Sequence, residues 1–246
     1  DGVLVDSLHH RAWCDALREL MDTEWAELRD RTGYAPEKFT EAVYQQIVAG
    51  RPRLDGARAV LEYFGVPAGE AARLAELYAA VKQEHLVTLI EAGEFTAFDD
   101  AIRFVLATRA AGILVAAASS SKNADLLLRQ VRLDAYVAEP DLTLLDLLDA
   151  DVSGRDLPRG KPDPAIFLFA AEELGATPAR CFVVEDAAAG VQAAKAGGME
   201  ALGVARLGDT KLLAHAGADL VVRSLDEVSR PALAEGLLER KRNGEA

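Results

Sequence analysis

Ser119-Ser120-Ser121-Lys122-Asn123 places three hydroxyls, an ammonium and an amide directly after an apolar run that ends at Ala118. At a helix start such donors make an anion site, because free backbone N–H groups and the helix dipole add to the side chains. A serine there also serves as a simple N-cap, but a cap needs a single polar residue. Glu185-Asp186 follows the run ending at Val184. Adjacent carboxylates suit a hard divalent cation such as Mg2+, which takes one or two of them together with water and substrate phosphate; capping of the helix that begins near Ala187 is the alternative role for Asp186. Between these two groups, Gly160-Lys161-Pro162-Asp163-Pro164 sets Pro164 in the first turn of a helix. Lys161 then lies on the preceding loop, where its ammonium can meet a phosphoryl group; plain solvent exposure is the alternative.

These residues need a scaffold that brings the ends of several strands together. After Gly93 the chain reads as short apolar runs, 113–118, 181–184, 201–205 and 219–222, with helical patterns near 98–111, 122–130, 164–174, 187–196 and 229–240. Strands alternating with helices imply right-handed crossovers and a doubly wound, Rossmann-like α/β core whose parallel sheet is covered on both faces. Ligands of such sheets sit at the carboxyl ends of the strands, where the polar groups above fall. Residues 8–92 read as helices only: Trp13, Leu17, Leu20, Met21 and Leu28 recur at helical spacing, Gly65 stops a second helix, and Leu74 to Ile90 continue the pattern to Gly93. The expected division is an α/β core from 1–6 and 93–246 with a helical bundle from 7–92 inserted into it. Asp1-Gly2-Val3-Leu4-Val5-Asp6-Ser7 carries turn chemistry and then a polar helix start with no strand before it, so the first core strand is expected to be missing from this chain.

The 27 Lys and Arg against 40 Asp and Glu give a formal net charge of -13, which argues against non-specific binding to nucleic acid or an anionic membrane. The longest apolar run, Ala110 to Ala118, is far short of the roughly 20 residues needed to cross a bilayer. The two cysteines, Cys14 and Cys181, are too few for a disulfide framework and fit two buried thiols in a reducing cytoplasm. A soluble monomer is compatible with the acidic balance.

Taken in order, Asp1-Gly2, Ser119, Lys161 and Glu185-Asp186 resemble the motifs of the haloacid-dehalogenase-like phosphotransferase superfamily: an Asp-x-Asp-Gly loop, a Ser or Thr after the second strand, a Lys before a helix, and an acidic pair after a later strand. The helical segment following the first motif resembles that superfamily's cap. Within it the likeness is to the β-phosphoglucomutase family. Leu8-His9-His10-Arg11-Ala12-Trp13 is similar to its His-x-Arg-Ala-Trp segment, Ser119-Ser120-Ser121-Lys122-Asn123 to its Ser-x-Ser-Lys-Asn loop, and Arg53 with Asp55 to its phosphate-holding cap arginine. Lys82 falls near the family's cap lysine.

The resemblance implies a sugar-phosphate substrate and Mg2+. In the family a first aspartate attacks phosphorus, and a second, two residues later, is the general acid and base on the sugar oxygen. Asp1 matches the second, since Gly2 follows it; Asp6 does not, since Ser7 follows. The nucleophile is therefore expected upstream of this chain, with truncation preferred over a natural pseudoenzyme. By the same resemblance Mg2+ is held by Asp1, Glu185 and Asp186. Ser119 and Lys161 join Asp1 in catalysis. His9, at the hinge side of the cap, assists Asp1 or orients substrate. Ser120, Ser121, Lys122, Asn123, Lys82 and Arg53 bind substrate. Arg53 and Lys122 supply the second phosphate site that a mutase needs and a phosphatase does not. Closure of the cap is expected to exclude water.

Other residues are assigned structural roles. Trp13, Trp25 and Tyr63 read as cap core, His10 as a second, exposed histidine, and Asp141 to Asp149 as a leucine-rich segment packed on the core. His85 and His215 stand alone without zinc spacing. Three activities compete: a β-phosphoglucomutase-like enzyme interconverting β-glucose 1-phosphate and glucose 6-phosphate, a sugar-phosphate phosphatase, and a non-catalytic sugar-phosphate-binding protein.

Overall fold

The computed structural model describes residues 2–6, 8–49, 51–242 and 244. It divides into two compact units, Ser7–Phe95, and Asp1–Asp6 with Thr96–Ala246.

The first unit is helical: α1 (His9–Asp22), α2 (Ala26–Arg31), α3 (Glu41–Ile47), α4 (Arg53–Tyr63) and α5 (Ala68–Glu91). Ala12, Trp13, Ala16, Leu17, Leu20 and Met21 fall on one face of α1 at helical spacing and are buried. Trp13 packs edge-on against Tyr78 of α5, whose hydroxyl donates to the Trp13 carbonyl at 2.8 Å. Gly56 on α4 is closely approached, since a Cβ there would stand 3.1 Å from Val48 and 3.5 Å from the Trp13 ring. Trp13 and Trp25 are core, as expected, but Tyr63 is 44% exposed and its hydroxyl donates to the Lys38 carbonyl at 3.3 Å. Its position at the end of α4 puts the ring at the rim of the bundle.

The second unit continues with α6 (Asp99–Ala110), β1 (Ala116–Ala117), α7 (Ala124–Gln130), β2 (Ala150–Asp151), α8 (Ala165–Glu173), β3 (Phe182–Glu185), α9 (Ala188–Ala196), β4 (Glu200–Val204), α10 (Thr210–His215), β5 (Leu220–Val222) and α11 (Arg230–Ala234). All the ladders between these strands are parallel: β1 pairs with β2, and β3, β4 and β5 form a second ladder in that order. The period of two sorts the strand residues onto opposite faces. Val183 and Ala201 pack with Phe167 of α8 and Val191 of α9, while Val184, Leu202 and Val204 pack with Phe104 of α6 and Leu233 of α11. This is the doubly wound arrangement, with helices on both faces.

The first strand is shorter than the apolar run 113–118, and β2 has no counterpart among the expected runs. The segment 141–149 is a connection containing a 3-10 turn, Leu145–Leu147, that buries Leu144 and Leu147. Its last residue braces the start of the strand, since the Asp149 carboxylate accepts from Val115 N–H and from Arg109, both at 2.8 Å. The helix expected over 229–240 ends at Ala234. Before α6, Val5 bridges Ala97 antiparallel and Phe98 N–H donates to the Leu4 carbonyl at 3.0 Å. No helix among the described residues is long and apolar enough to cross a membrane.

Candidate active site

The end of β3 gathers the acidic pair and the loop lysine. Glu185, 6% exposed, lies over the start of α9, where its Oε2 accepts from Ala187 N–H at 3.3 Å and its Oε1 is in direct contact with Lys161 Nζ. Gly190 makes this possible, because a Cβ at that position would collide with the Glu185 carboxylate. Lys161 is only 14% exposed and its ammonium stands 4.9 Å from the Phe167 ring centroid. Burial and cation–π contact thus hold the lysine against the acidic pair instead of leaving it in solvent.

Asp186 is half-buried, and it does not cap α9: the helix begins at an Ala187 N-cap that makes no side-chain hydrogen bond. Burial and the neighbouring Glu185 charge push its carboxyl up to about 6. It faces the first loop. Gly2 has φ +75°, in the left-handed region, and a Cβ on it would collide with the Asp186 carboxylate. Gly2 of the amino-terminal loop is therefore seated directly on the Asp186 carboxylate. Asp1 itself, expected as acid–base group and metal ligand, lies outside the described residues.

The hydroxyl loop follows β1. Ser119 Oγ accepts from Ser121 N–H at 3.1 Å and Ser121 Oγ from Asn123 N–H at 3.2 Å, two successive tight turns. A hydroxyl that accepts in this way keeps its proton to donate. Ser120 and Lys122 are exposed and Asn123 is half-buried. The loop is braced by the chain after β2: Ser153 Oγ accepts from Ser119 N–H at 3.3 Å, and Gly154 N–H donates to the Ser119 carbonyl at 2.8 Å. Gly154 sits at φ +68° with a virtual Cβ only 2.9 Å from Lys122 Cα. Lys122 Nζ donates to Asp156 Oδ1 at 2.6 Å in an exposed pair.

In the helical unit, Lys82 is 2% exposed and its Nζ donates to His9 Nδ1 at 2.7 Å, which leaves the neutral ring's proton on Nε2. The ammonium also stands 5.3 Å from the Trp13 ring. Burial and the Arg53 charge lower Lys82 to about 7, and burial, Lys82 and Arg53 hold His9 well below the ordinary imidazole value. Three cationic or proton-bearing groups are thus close enough to feel one another. Arg53 is the first residue of α4, behind Pro52; Asp55 pairs with Arg58 at 3.0 Å.

Arg206 is a site-supporting residue that belongs to none of the expected motifs. Its Nη1 donates to Asp100 Oδ2 at 2.8 Å, its Nη2 to the Val3 carbonyl at 3.0 Å, and its guanidinium stacks 4.1 Å from the Phe98 ring centroid. It directly follows the run 201–205, the same strand-end position that singled out Ser119 and Glu185. Ser153 and Gly154 carry no such signal, because the strand before them has two residues.

The donor set fits Mg2+: Glu185 and Asp186 offer hard oxygens, and the raised Asp186 carboxyl marks a negative charge that a cation would relieve. No group of three or more His, Cys, Asp or Glu side chains among the described residues is gathered as a cation cage. Two carboxylates are sufficient for an ion that keeps its waters and shares substrate phosphate.

Residues 1–198 match the haloacid dehalogenase-like hydrolase family. A β-phosphoglucomutase of Mycobacterium bovis is 35% identical over 245 residues, 93% of this chain and 88% of that protein. Hexitol phosphatase A of Escherichia coli is 30% identical over 233 residues, 93% of this chain and 90% of that protein. Among solved structures, the archaeal β-phosphoglucomutase from Pyrococcus sp. strain ST 04 superposes with a TM-score of 0.69 at 30% identity, covering 96% of each chain.

Proposed function

The chain belongs to the haloacid dehalogenase-like hydrolase family, and on that premise we propose that it is a Mg2+-dependent phosphoryl-transfer enzyme interconverting β-glucose 1-phosphate and glucose 6-phosphate by the family's aspartyl phosphate and bisphosphate route. The observation that carries this proposal is the convergence of Lys161, Glu185, Asp186 and the Gly2 turn at one end of the parallel ladder. Phosphoryl transfer demands positioning and neutralisation of charge on the equatorial oxygens more than covalent participation. Lys161 supplies a fixed positive charge, held by its partly buried contact with Glu185. The Ser119 and Ser121 hydroxyls supply donors whose oxygens are already oriented by backbone N–H groups. Glu185 and Asp186 would hold Mg2+, which would neutralise charge on the transferring phosphoryl group. Asp1, next to the Gly2 turn, is assigned proton transfer at the sugar oxygen.

Arg53 supports the mutase over other chemistries of the family, because a planar guanidinium can take a phosphate through two parallel hydrogen bonds. It is assigned the phosphate that is not transferred, with Lys82 and His9 close enough to set its electrostatics. The similarity to hexitol phosphatase A supports a second candidate, a sugar-phosphate phosphatase with water as acceptor.

Product analysis separates the two. The protein expressed from its full open reading frame is given β-glucose 1-phosphate, Mg2+ and a catalytic amount of glucose bisphosphate. The mutase produces glucose 6-phosphate with little inorganic phosphate; phosphate release at the rate of sugar-phosphate consumption would establish the phosphatase instead.

A further inference from the structure

A second cluster of reactive groups lies within the helical unit and has no part in phosphoryl transfer. His10 and Cys14 are one turn apart on α1, with His10 Nε2 3.3 Å from Cys14 Sγ. The other ring nitrogen, Nδ1, is 2.7 Å from Glu41 Oε2 on α3. Nε2 also lies 2.7 Å from the Phe39 carbonyl, and Phe39 packs edge-on against the imidazole. Both ring nitrogens therefore face acceptors, which favours the doubly protonated imidazolium. Cys14, Glu41 and the Phe39 carbonyl together push His10 up to about 10, against burial.

Cys14 is not sealed in the core. It is partly exposed and lines a small cleft with Leu17, Tyr34, Pro36 and Phe39, with room of about 10 Å³, roughly one water-sized molecule. The partly exposed sulfur at this cleft is open to a small neutral oxidant.

From this geometry we infer that Cys14 is a histidine-paired, oxidant-sensitive thiol whose reaction partner is hydrogen peroxide. In its thiolate form the sulfur attacks one peroxide oxygen; the S–O bond forms as the O–O bond breaks. Sulfur loses two electrons and becomes the sulfenic acid, and the peroxide is reduced. The departing hydroxide takes the proton from His10 Nε2 and leaves as water, so the thiolate–imidazolium pair ends as a neutral sulfenic acid beside a neutral imidazole. Glu41 holds the ring in position throughout. This proposal does not depend on the phosphoryl-transfer assignment.

Cys181 provides an internal control. It is partly exposed like Cys14, and each Sγ donates to a backbone carbonyl, Cys14 to Phe39 at 3.6 Å and Cys181 to Thr177 at 3.3 Å; what sets them apart is the His10 ring beside Cys14, while burial pushes the Cys181 thiol up. The protein is treated with hydrogen peroxide in the presence of a dione probe that traps sulfenic acids, and both cysteine peptides are followed by mass spectrometry. Cys14 is expected to be trapped about ten-fold faster than Cys181, and His10→Gln to reduce that advantage to near nothing. Equal trapping at the two cysteines, or a folded His10→Gln protein in which Cys14 reacts at its original rate, overturns the proposal. The comparison within the unsubstituted protein needs no variant and is decisive even where His10→Gln does not fold.

Discussion

Arg206 and Asp100 form a mostly enclosed ion pair, 15% and 9% exposed, that ties the end of β4 to the start of α6. Burial alone would raise the Asp100 carboxyl, but Arg206, the Ser224 hydroxyl at 2.7 Å and the Leu225 N–H at 2.8 Å outweigh it and hold the group below the usual carboxylate value. The second guanidinium nitrogen holds the Val3 carbonyl, one residue from the turn seated on Asp186. The pair thus supports both the fold and the first loop.

Replacing Arg206 by Met strands a buried carboxylate and is expected to cost about 3–5 kcal/mol by urea denaturation. Because the folded Asp100 pKa is depressed, its contribution is complete above the unfolded carboxylate pKa and is lost as pH falls through the folded value. The variant's deficit relative to the parent should therefore shrink in acid. A constant deficit at all pH values would mean that the loss comes from the stacking on Phe98, not from the charge pair.

Gly190→Ala inserts a methyl group where the Glu185 carboxylate lies. A destabilisation of about 1–3 kcal/mol is expected from overpacking. Displacement of Glu185 also moves Lys161, so turnover should fall by about 100-fold, with the substrate KM changed much less. Steady-state kinetics on the full-length protein checks this; an unchanged turnover would remove the Lys161–Glu185 contact from the catalytic arrangement.

Lys82→Met tests a buried amine kept for a purpose other than stability. The folded pKa of about 7 lies below the ordinary lysine value, so the unfolded chain holds a proton between those two values that the folded chain does not. Stability from this residue is complete above the unfolded pKa and is lost as pH falls toward about 7. The methionine variant should be more stable near neutrality by up to about 4 kcal/mol, read as a rise in Tm, with the advantage vanishing at alkaline pH. Calorimetric scans across that range would reveal it. Binding of sugar phosphate, measured by titration, should weaken in the same variant.

Arg53→Ala distinguishes substrates with one phosphate from those with two. Loss of a bidentate contact is expected to weaken glucose bisphosphate by about 100-fold, on the order of 3 kcal/mol. Inorganic phosphate affinity should stay within about two-fold. Equal weakening of both ligands would place Arg53 at the transferred phosphate or make its role structural.

Much of the core was legible because its chemistry is local. Ser119, Lys161 and Glu185-Asp186 each follow an apolar run or precede a helix-starting proline, and the alternation of runs and helices predicts the doubly wound layers. Short-range patterns could not reveal β2, whose two residues are stabilised by pairing with β1 rather than by their own propensity. Nor could they pair Arg206 with Asp100, 106 positions earlier. The same limit explains the expectations about the cysteines and His10. The cysteine count predicts two buried thiols, and the position of His10 beside His9 at a helix start predicts an exposed ring. Both thiols are partly exposed, and His10 is half-buried because the chain at Phe39 and Glu41 folds back over it.

The Lys122–Asp156 pair makes Asp156 a tethered competitor. A phosphate that engages Lys122 must first displace a carboxylate already held on the same chain, so the observed affinity is the intrinsic one scaled by the fraction of time the lysine is vacant. With 57% and 87% of the two side chains exposed, the pair is held by at most about 1 kcal/mol, and the handicap is only a few-fold. A singly charged anion merely exchanges one carboxylate-like partner for another. On the proposed assignment of Lys122 to the substrate, a dianion gains on the exchange, and the doubly ionised phosphate monoester is expected to be preferred over its protonated form and over carboxylate metabolites.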